Sequence, residues 1–227
     1  TFSLSVWKPE LYFLALLREK LLERGIKVKG NIKLDTLKGS SMLAEIVHPI
    51  DSVIHRINKI SDNLAAENLL KIIAAETQSP PGTSLIGLRI VKEYLYGISI
   101  DTSKLILADG SGMSFYNVVS PDMLTQILQK QYEQKENFQR FLESLPISGV
   151  DGTLKNRMKQ TRAEGNVKAK TGTITGVSAL SGYVKTADDK LLAFSIMCNH
   201  HPAQISVLRD MQDKIMEILS NFKFASR

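Results

Sequence analysis

The chain is poor in cysteine and in long apolar runs, and each absence excludes a class of protein. Cys198 is the only cysteine among the 227 residues, so neither an internal disulfide nor a cysteine-based metal cluster can form. No apolar run approaches the roughly 20 residues that a membrane-spanning helix needs. The first residues show no basic segment followed by an apolar stretch, so the sequence shows no signal peptide and assigns no compartment.

Charge of one sign is never concentrated, although the chain is basic overall. The formal net charge is +6 and the pI is about 9.3, which favours an anionic partner such as nucleic acid, acidic lipid or a cell-wall polymer. The Lys and Arg residues are scattered without any run of five, and we expect no nucleic-acid partner. Hydrophobic residues at 43% and charged residues at 23% are typical of a globular domain.

Hydrophobic periodicity predicts a mixed architecture with helices first and a hairpin near the end. The predicted helices span residues 9–24, 61–77, 83–96, 120–134 and 202–222. The predicted strands span residues 26–34, 105–108, 167–174, 177–186 and 191–199, with a hairpin turn at 187–190. A helical block, an antiparallel hairpin and a closing helix indicate the α+β class.

Two short motifs could carry chemistry, and each also has an ordinary structural explanation. Ser61-Asp62-Asn63 begins a predicted helix, where Ser and Asn are common caps for unpaired backbone N–H groups. Lys170-Thr171-Gly172-Thr173 ends a predicted strand, where a lysine often faces solvent. Taken singly, each motif favours the structural explanation.

Together the motifs suit acyl transfer to a serine. That reaction needs a proton delivered to the leaving amine and a stabilised oxyanion. A serine and an asparagine at a helix start can line one wall of a cleft, and a Lys-Thr-Gly strand can form the other, with Gly172 allowing close approach of a peptide. Ser-Asp-Asn and Lys-Thr-Gly motifs occur together in penicillin-binding proteins and class A β-lactamases. Here they follow in that order, 109 residues apart.

Four signatures in order resemble those of the low-molecular-mass class C penicillin-binding proteins, which are D-alanyl-D-alanine carboxypeptidases and endopeptidases. The four stretches are 60–70, 109–117, 149–158 and 168–183. The resemblance runs from about Pro9 to the last predicted helix. It implies the penicillin-recognising serine hydrolase fold, which is β-lactamase- and transpeptidase-like, with an antiparallel sheet and flanking helices.

The resemblance also implies a role for each matching residue. Ser61 would relay protons, and Asn63 would hold the substrate amide. The terminal carboxylate of the peptide would lie near Lys170, Thr171 and Thr173, and the backbone N–H of Thr173 would supply one oxyanion donor. The implied substrate-binding set is Thr171, Gly172, Thr173, Thr175 and Phe115. The implied ligands are peptidoglycan peptides ending in D-Ala-D-Ala and β-lactam antibiotics, bound in the periplasm or elsewhere outside the cytoplasm without a metal or cofactor.

The family's nucleophilic Ser-x-x-Lys motif has no suitable match. Ser220 to Lys223 follows the Lys-Thr-Gly motif, which is the wrong order, and Ser5 to Lys8 directly precedes Pro9, which disfavours helix at Lys8. We therefore expect residues 1–227 to form a C-terminal segment of the catalytic domain, incomplete at its N-terminus and inactive alone. The upstream nucleophile-bearing segment and inserted domains would be absent, and that N-terminal part would be its partner.

Substrate choice and two alternative functions stay open at this point. Many family members carry an arginine where this chain has Phe115, so the preference at the third peptide residue is open, with Arg157 and Lys168 as candidate substitutes. Asp109 and Asp151 each precede a glycine and are predicted turn residues. The alternatives are a β-lactamase-like hydrolase and a non-catalytic module that binds cell-wall peptides.

Overall fold

The computed structural model describes residues 5–34, 44–78 and 80–225. The chain divides into two compact units, residues 1–47 and residues 48–227. In the first unit, α1 spans Pro9–Glu23, with Pro9 at its first position as predicted. The helix ends where Gly25 takes a φ of +77° and Ile26 donates its backbone N–H to Leu21 O.

The predicted strand at residues 26–34 is wrong, because the backbone there forms neither strand nor helix. None of the described residues pairs with this alternating stretch, and an isolated strand leaves its backbone groups without ladder hydrogen bonds. The predicted strand at 105–108 is reduced to one antiparallel bridge between Ile106 and Val118.

The second unit contains six helices and a three-stranded sheet among its described residues. The helices are α2 (Ile50–Ile60), α3 (Asn63–Thr77), α4 (Ser84–Gly97), α5 (Pro121–Glu133), α6 (Lys135–Ser144) and α7 (Ile205–Asn221). The strands are β1 (Lys168–Ile174), β2 (Val177–Lys185) and β3 (Leu191–Asn199), and a short 3₁₀ helix spans Gly152–Leu154. The sequence predicted seven of these elements to within about three residues, namely α3, α4, α5, α7 and the three strands, whereas it missed α2 and α6.

The sheet is antiparallel in the order β1-β2-β3, with helices on both faces. Leu180 and Val184 of β2 pack with Met216 of α7 in one cluster of buried residues. Tyr183 points to the opposite face, because successive side chains of a strand alternate, and it packs with Leu128 of α5 in a second cluster. The α+β class with flanking helices is therefore confirmed.

A third cluster lies between the helices and holds α4 and α5 together. Its buried members are Leu95, Ile100, Leu105 and Met123. α4 also packs on α3, where a Cβ on Gly87 would lie 2.3 Å from Leu70 O. This close approach fixes α3, which begins at Asn63, the last residue of the Ser-Asp-Asn motif.

Candidate active site

The turn between α2 and α3 presents Ser61. Ser61 takes a left-handed backbone conformation with a φ of +57°, and α3 begins two residues later. The cap of α3 is Asp62 rather than Ser61 or Asn63, since its carboxylate accepts from Ala65 N at 2.9 Å and from Arg56 Nε at 2.6 Å. These contacts, with the Ala65 hydrogen bond first, hold the pKa of Asp62 below its usual 3.8. The capping explanation of the motif therefore applies to Asp62 and leaves the Ser61 hydroxyl for another role.

A buried lysine, Lys59, holds the same turn in place through its contacts with residues 145 and 151. Lys59, two residues before Ser61, is only 6% exposed. Its Nζ donates to Asp151 Oδ2 and to Leu145 O, both at 2.6 Å, and Asp151 Oδ1 accepts from Ile147 N at 2.8 Å. Asp151 has its predicted turn role, since its backbone N–H donates to Ile147 O, and its carboxylate in addition pairs with the buried Lys59 ammonium group. The third signature thereby fixes the end of α2.

The second signature is docked on α3. Glu67 Oε1 accepts from the backbone N–H groups of Gly110 and Ser111 at 2.8 and 2.9 Å. Asp109 accepts from Gly112 N and Ser114 N at 2.6 and 2.7 Å, which confirms its predicted role in the turn. The loop of this signature is therefore hydrogen-bonded to α3, the helix that begins beside Ser61.

Lys170 and Ser61 are in direct contact. Lys170 Nζ donates to Ser61 Oγ at 2.7 Å and to Thr171 O at 3.1 Å. Burial lowers the pKa of Lys170 from its usual 10.5, because the low-polarity surroundings disfavour the ammonium form. An ammonium group can only donate, so the Ser61 oxygen accepts this bond and the hydroxyl hydrogen is left to donate elsewhere. The arrangement suits a proton relay.

The open edge of β1 carries backbone donors. Ala169 donates its N–H to Pro146 O at 3.0 Å, on the side of β1 away from β2. Backbone groups of alternate residues in a strand point the same way, so Thr171 and Thr173 direct their N–H groups to that side as well. In the described part of the chain, no strand pairs with β1 along that edge beside these two threonines. The position suits hydrogen bonding to a bound peptide or an oxyanion.

A cavity of about 520 Å³ joins these features. Its lining residues are Ser61, Thr153, Asn156, Arg157, Thr171, Thr173, Ser178, Ala179 and Arg209. Thr171 Oγ1 donates to Thr153 Oγ1 at 2.9 Å, so the strand and the 3₁₀ helix meet at the cavity wall. The lining set includes hydroxyl, amide and guanidinium groups but no carboxylate, which suits an anionic ligand.

Arg157 and Arg209 both line the cavity, but only Arg157 is paired with a carboxylate. Arg157 Nη2 lies 2.6 Å from Asp213 Oδ1 and donates to Gln212 Oε1 at 3.1 Å. Arg209 Nη2 makes only a 3.5 Å contact with Thr173 Oγ1. Sequence reasoning missed Arg209, because a lone arginine in a helix carries no motif.

The remaining predicted substrate residues are not among those that line this cavity. Asn63 is exposed at the first position of α3, and Thr175 is exposed in the turn between β1 and β2. Phe115 is 69% exposed in the loop of the second signature. A Cβ on Gly172 would meet Ala179 Cβ at an ordinary 3.4 Å, so packing within this chain does not require glycine there. The roles of these residues stay predictions.

The two Ser-x-x-Lys matches lack the geometry of a nucleophile and its base. Lys8 has a left-handed φ of +54° and precedes α1, so Ser5 and Lys8 do not share a helical turn. Ser220 is fully buried and accepts from Asn166 Nδ2 at 3.2 Å, while Lys223 lies beyond the end of α7. Neither serine has the exposure and lysine contact that acylation needs.

The described ranges contain neither a metal-binding cluster nor a membrane-spanning helix. Across residues 5–34, 44–78 and 80–225, no cluster of three or more His, Cys, Asp or Glu side chains is placed to hold a metal ion. Over the same ranges, no helix has the length and apolar character needed to cross a membrane.

A family model decides what this combination of motifs is. The model of the D-Ala-D-Ala carboxypeptidase 3 (S13) family matches residues 1–222. The chain belongs to this family. Among curated S13-like relatives, a D-alanyl-D-alanine carboxypeptidase of Actinomadura sp. is 40% identical over 219 residues, covering 91% of this chain and 39% of that protein. A D-alanyl-D-alanine carboxypeptidase of Haemophilus influenzae is 30% identical over 196 residues, covering 85% and 41%.

Solved structures agree with the S13 assignment. Penicillin binding protein 4 of Haemophilus influenzae superposes with a TM-score of 0.86 at 26% identity, over 96% of this chain and 50% of that one. Another structure of that protein holds a β-lactam and superposes with a TM-score of 0.84 at 27% identity, over 95% and 53%. The TLA-1 β-lactamase shares the fold alone, with a TM-score of 0.56 at 15% identity, over 76% and 64%. The predicted family and fold are thus confirmed, and the chain spans about two fifths of the length of these two curated relatives.

Proposed function

We propose that this chain is part of a penicillin-sensitive serine D-alanyl-D-alanine carboxypeptidase and endopeptidase that cleaves peptidoglycan stem peptides outside the cytoplasm. The contact between Lys170 Nζ and Ser61 Oγ at 2.7 Å carries the proposal. It joins two motifs that are 109 residues apart in sequence into one relay beside an open strand edge. A helix cap and a solvent-facing strand lysine would have no reason to meet.

The chemistry divides between this chain and a serine outside it. An external serine attacks the D-Ala carbonyl and passes its proton to the lysine of its own motif, while the N–H of Thr173 donates to the oxyanion that forms. As the C–N bond breaks, Ser61 gives its proton to the leaving amine and receives the proton held by that upstream lysine. The positive charge of Lys170 stabilises the negative charge that develops on the Ser61 oxygen during this transfer. Water then hydrolyses the acyl-serine ester. Asn63 holds the amide of the peptide from the α3 side.

The proposal includes an incomplete catalytic domain. Among the described residues, β3 is paired only with β2, so its other edge is available to a strand from elsewhere in the same protein. Neither Ser-x-x-Lys match within the chain supplies a usable nucleophile. Residues 1–227 therefore act as the C-terminal segment of the catalytic domain, and an upstream segment supplies the serine and its lysine. The chain by itself is expected to form no penicillin adduct.

The test is the rate of acylation of the full-length protein by a fluorescent penicillin. Ser61→Ala and Lys170→Met should each lower the second-order rate by about 10²–10⁴-fold, which is the usual share of general acid–base catalysis. Ser195→Ala and Lys92→Met are the controls, because neither residue lines the cavity. Ser195 is half-buried and hydrogen-bonded to Ser181, and Lys92 is exposed and, like Lys170, donates to a backbone carbonyl. Unchanged rates in the Ser61 and Lys170 variants would refute the proposed relay. A full-length protein that forms no adduct would instead favour the module that only binds cell-wall peptides.

A further inference from the structure

Two guanidinium groups line the cavity beside Thr171 and Thr173, and only one of them forms an ion pair within the described part of the protein. Arg157 is held by Asp213, and the Arg157 side chain is only 11% exposed. Arg209 has no carboxylate within ion-pair distance in the described part of the chain. Its contact with Thr173 Oγ1 at 3.5 Å lies at the outer limit of a hydrogen bond, so a better acceptor can replace it readily.

The backbone of Arg209 is held in place, although its guanidinium group forms no ion pair among the described residues. Arg157 Nη2 donates to the backbone carbonyl of Arg209 at 3.0 Å, while Arg157 also contacts Asp213 one turn further along α7. Arg157 therefore clamps the first turns of α7 against the cavity. The Arg209 side chain is exposed and extends from this clamped backbone towards the Thr173 hydroxyl.

We infer that Arg209 binds the carboxylate of the leaving residue, the group attached to the carbon next to the scissile nitrogen. This inference rests on the proposed function and names one more residue of its substrate site. A planar guanidinium can donate two parallel hydrogen bonds to a carboxylate, and the hydroxyls of Thr171 and Thr173 lie on the same cavity wall. The cavity lining has no acidic residue that would repel the ligand. A terminal D-Ala carries this carboxylate, and so does a cross-linked residue of the diaminopimelate type, in which the amine-bearing carbon also holds a carboxyl group. Arg209 would therefore serve both cleavage reactions on such peptides.

The test compares equilibrium binding of two peptides to the full-length protein by calorimetry. One probe is an N-acetylated analogue of a peptide ending in D-Ala-D-Ala, in which an uncleavable ketomethylene link replaces the scissile amide and the terminal carboxylate is free. The other probe is the C-terminal amide of the same analogue. The unmodified protein should prefer the carboxylate by about tenfold or more, and Arg209→Gln should remove most of that preference. Arg209→Lys should retain part of it, because the charge remains while the two-pronged geometry is lost.

The control and the contrary result are defined on the same helix. Lys214→Gln removes one positive charge from an exposed position of α7 that does not line this cavity, and it should leave the preference unchanged. An Arg209→Gln protein that keeps the full preference would overturn the inference, as would an equal loss in the Lys214→Gln protein. The proposed function is tested separately, since it fails if the unmodified protein forms no penicillin adduct. In that case the binding comparison still measures whether Arg209 recognises the carboxylate.

Discussion

The buried pair of Lys59 and Asp151 offers a sharp test of how the site is held in place. Removing either partner should destabilise the protein, and the two losses should be unequal. In Asp151→Asn, the Lys59 ammonium loses its counter-charge while its side chain is 8% exposed. Removal of one partner of a buried ion pair costs about 3–5 kcal/mol, and we expect this variant to fall in that range.

Lys59→Met should be milder. The Asp151 side chain is 38% exposed, so water can solvate its carboxylate once the lysine is gone, and Ile147 N still donates to it. The Met side chain replaces the aliphatic part of the lysine, and the main loss is the hydrogen bond to Leu145 O. We expect a cost of about 2–3 kcal/mol, which includes the desolvated carbonyl group.

The assay is equilibrium urea unfolding, followed by far-ultraviolet circular dichroism, of the unmodified protein and both variants. Arg89→Gln is the control, because its ion pair with Glu93 spans 3.8 Å between side chains that are more than half exposed. Such a pair is worth about 0–1 kcal/mol. A larger loss for Lys59→Met than for Asp151→Asn, or losses no larger than that of the control, would refute the reasoning.

Three further predictions concern pH and single hydrogen bonds. Because burial lowers the pKa of Lys170 from 10.5, the folded state holds this proton less tightly than the unfolded state. The free energy of unfolding should therefore rise, relative to Lys170→Met, as the pH rises from the lowered pKa to 10.5, and urea midpoints that stay parallel across this window would contradict it. Asp62→Ala should cost about 1 kcal/mol at neutral pH through loss of the α3 cap, and the two proteins should converge as the pH falls through the lowered pKa of Asp62; a difference that persists in acid would exclude the charged cap as its cause. Tyr183→Phe should cost about 1–3 kcal/mol, because Leu128 O loses a buried donor at 2.7 Å, and thermal or urea unfolding that shows no loss would contradict this.

Much of the fold followed from local patterns in the sequence. Pro121 after a serine cap predicted α5, and the alternating residues of β2 and β3 predicted the hairpin within one residue at each end. These elements carry their own start signals or a strong period. The strand predicted at residues 26–34 failed because alternation indicates a strand only when a neighbour supplies the hydrogen bonds.

α2 and α6 were missed for a different reason. α2 has neither a capping side chain nor a strongly apolar composition, and α6 follows α5 with only Gln134 between them. Both helices nevertheless carry an apolar face at helical spacing and pack against each other, so the period alone, without start and stop signals, indicated them.

The candidate site was predicted in its motifs but not in its support. Ser61 and Lys170 could be paired in advance because the order of the motifs indicated it. Lys59 and Arg209 could not, since a buried lysine and a cavity arginine become visible only when residues 59 and 151, or 173 and 209, are brought together. Such contacts between distant residues depend on the whole fold and leave no short motif.

The location of the acylated serine shows whether Ser61 and Lys170 serve a nucleophile outside residues 1–227. The full-length protein is incubated with a penicillin and digested, and the modified peptide is identified by mass spectrometry. We expect one adduct on a serine outside residues 1–227, formed more slowly in the Ser61→Ala and Lys170→Met proteins. An adduct on Ser5, Ser61, Ser220 or any other serine within these residues would contradict it.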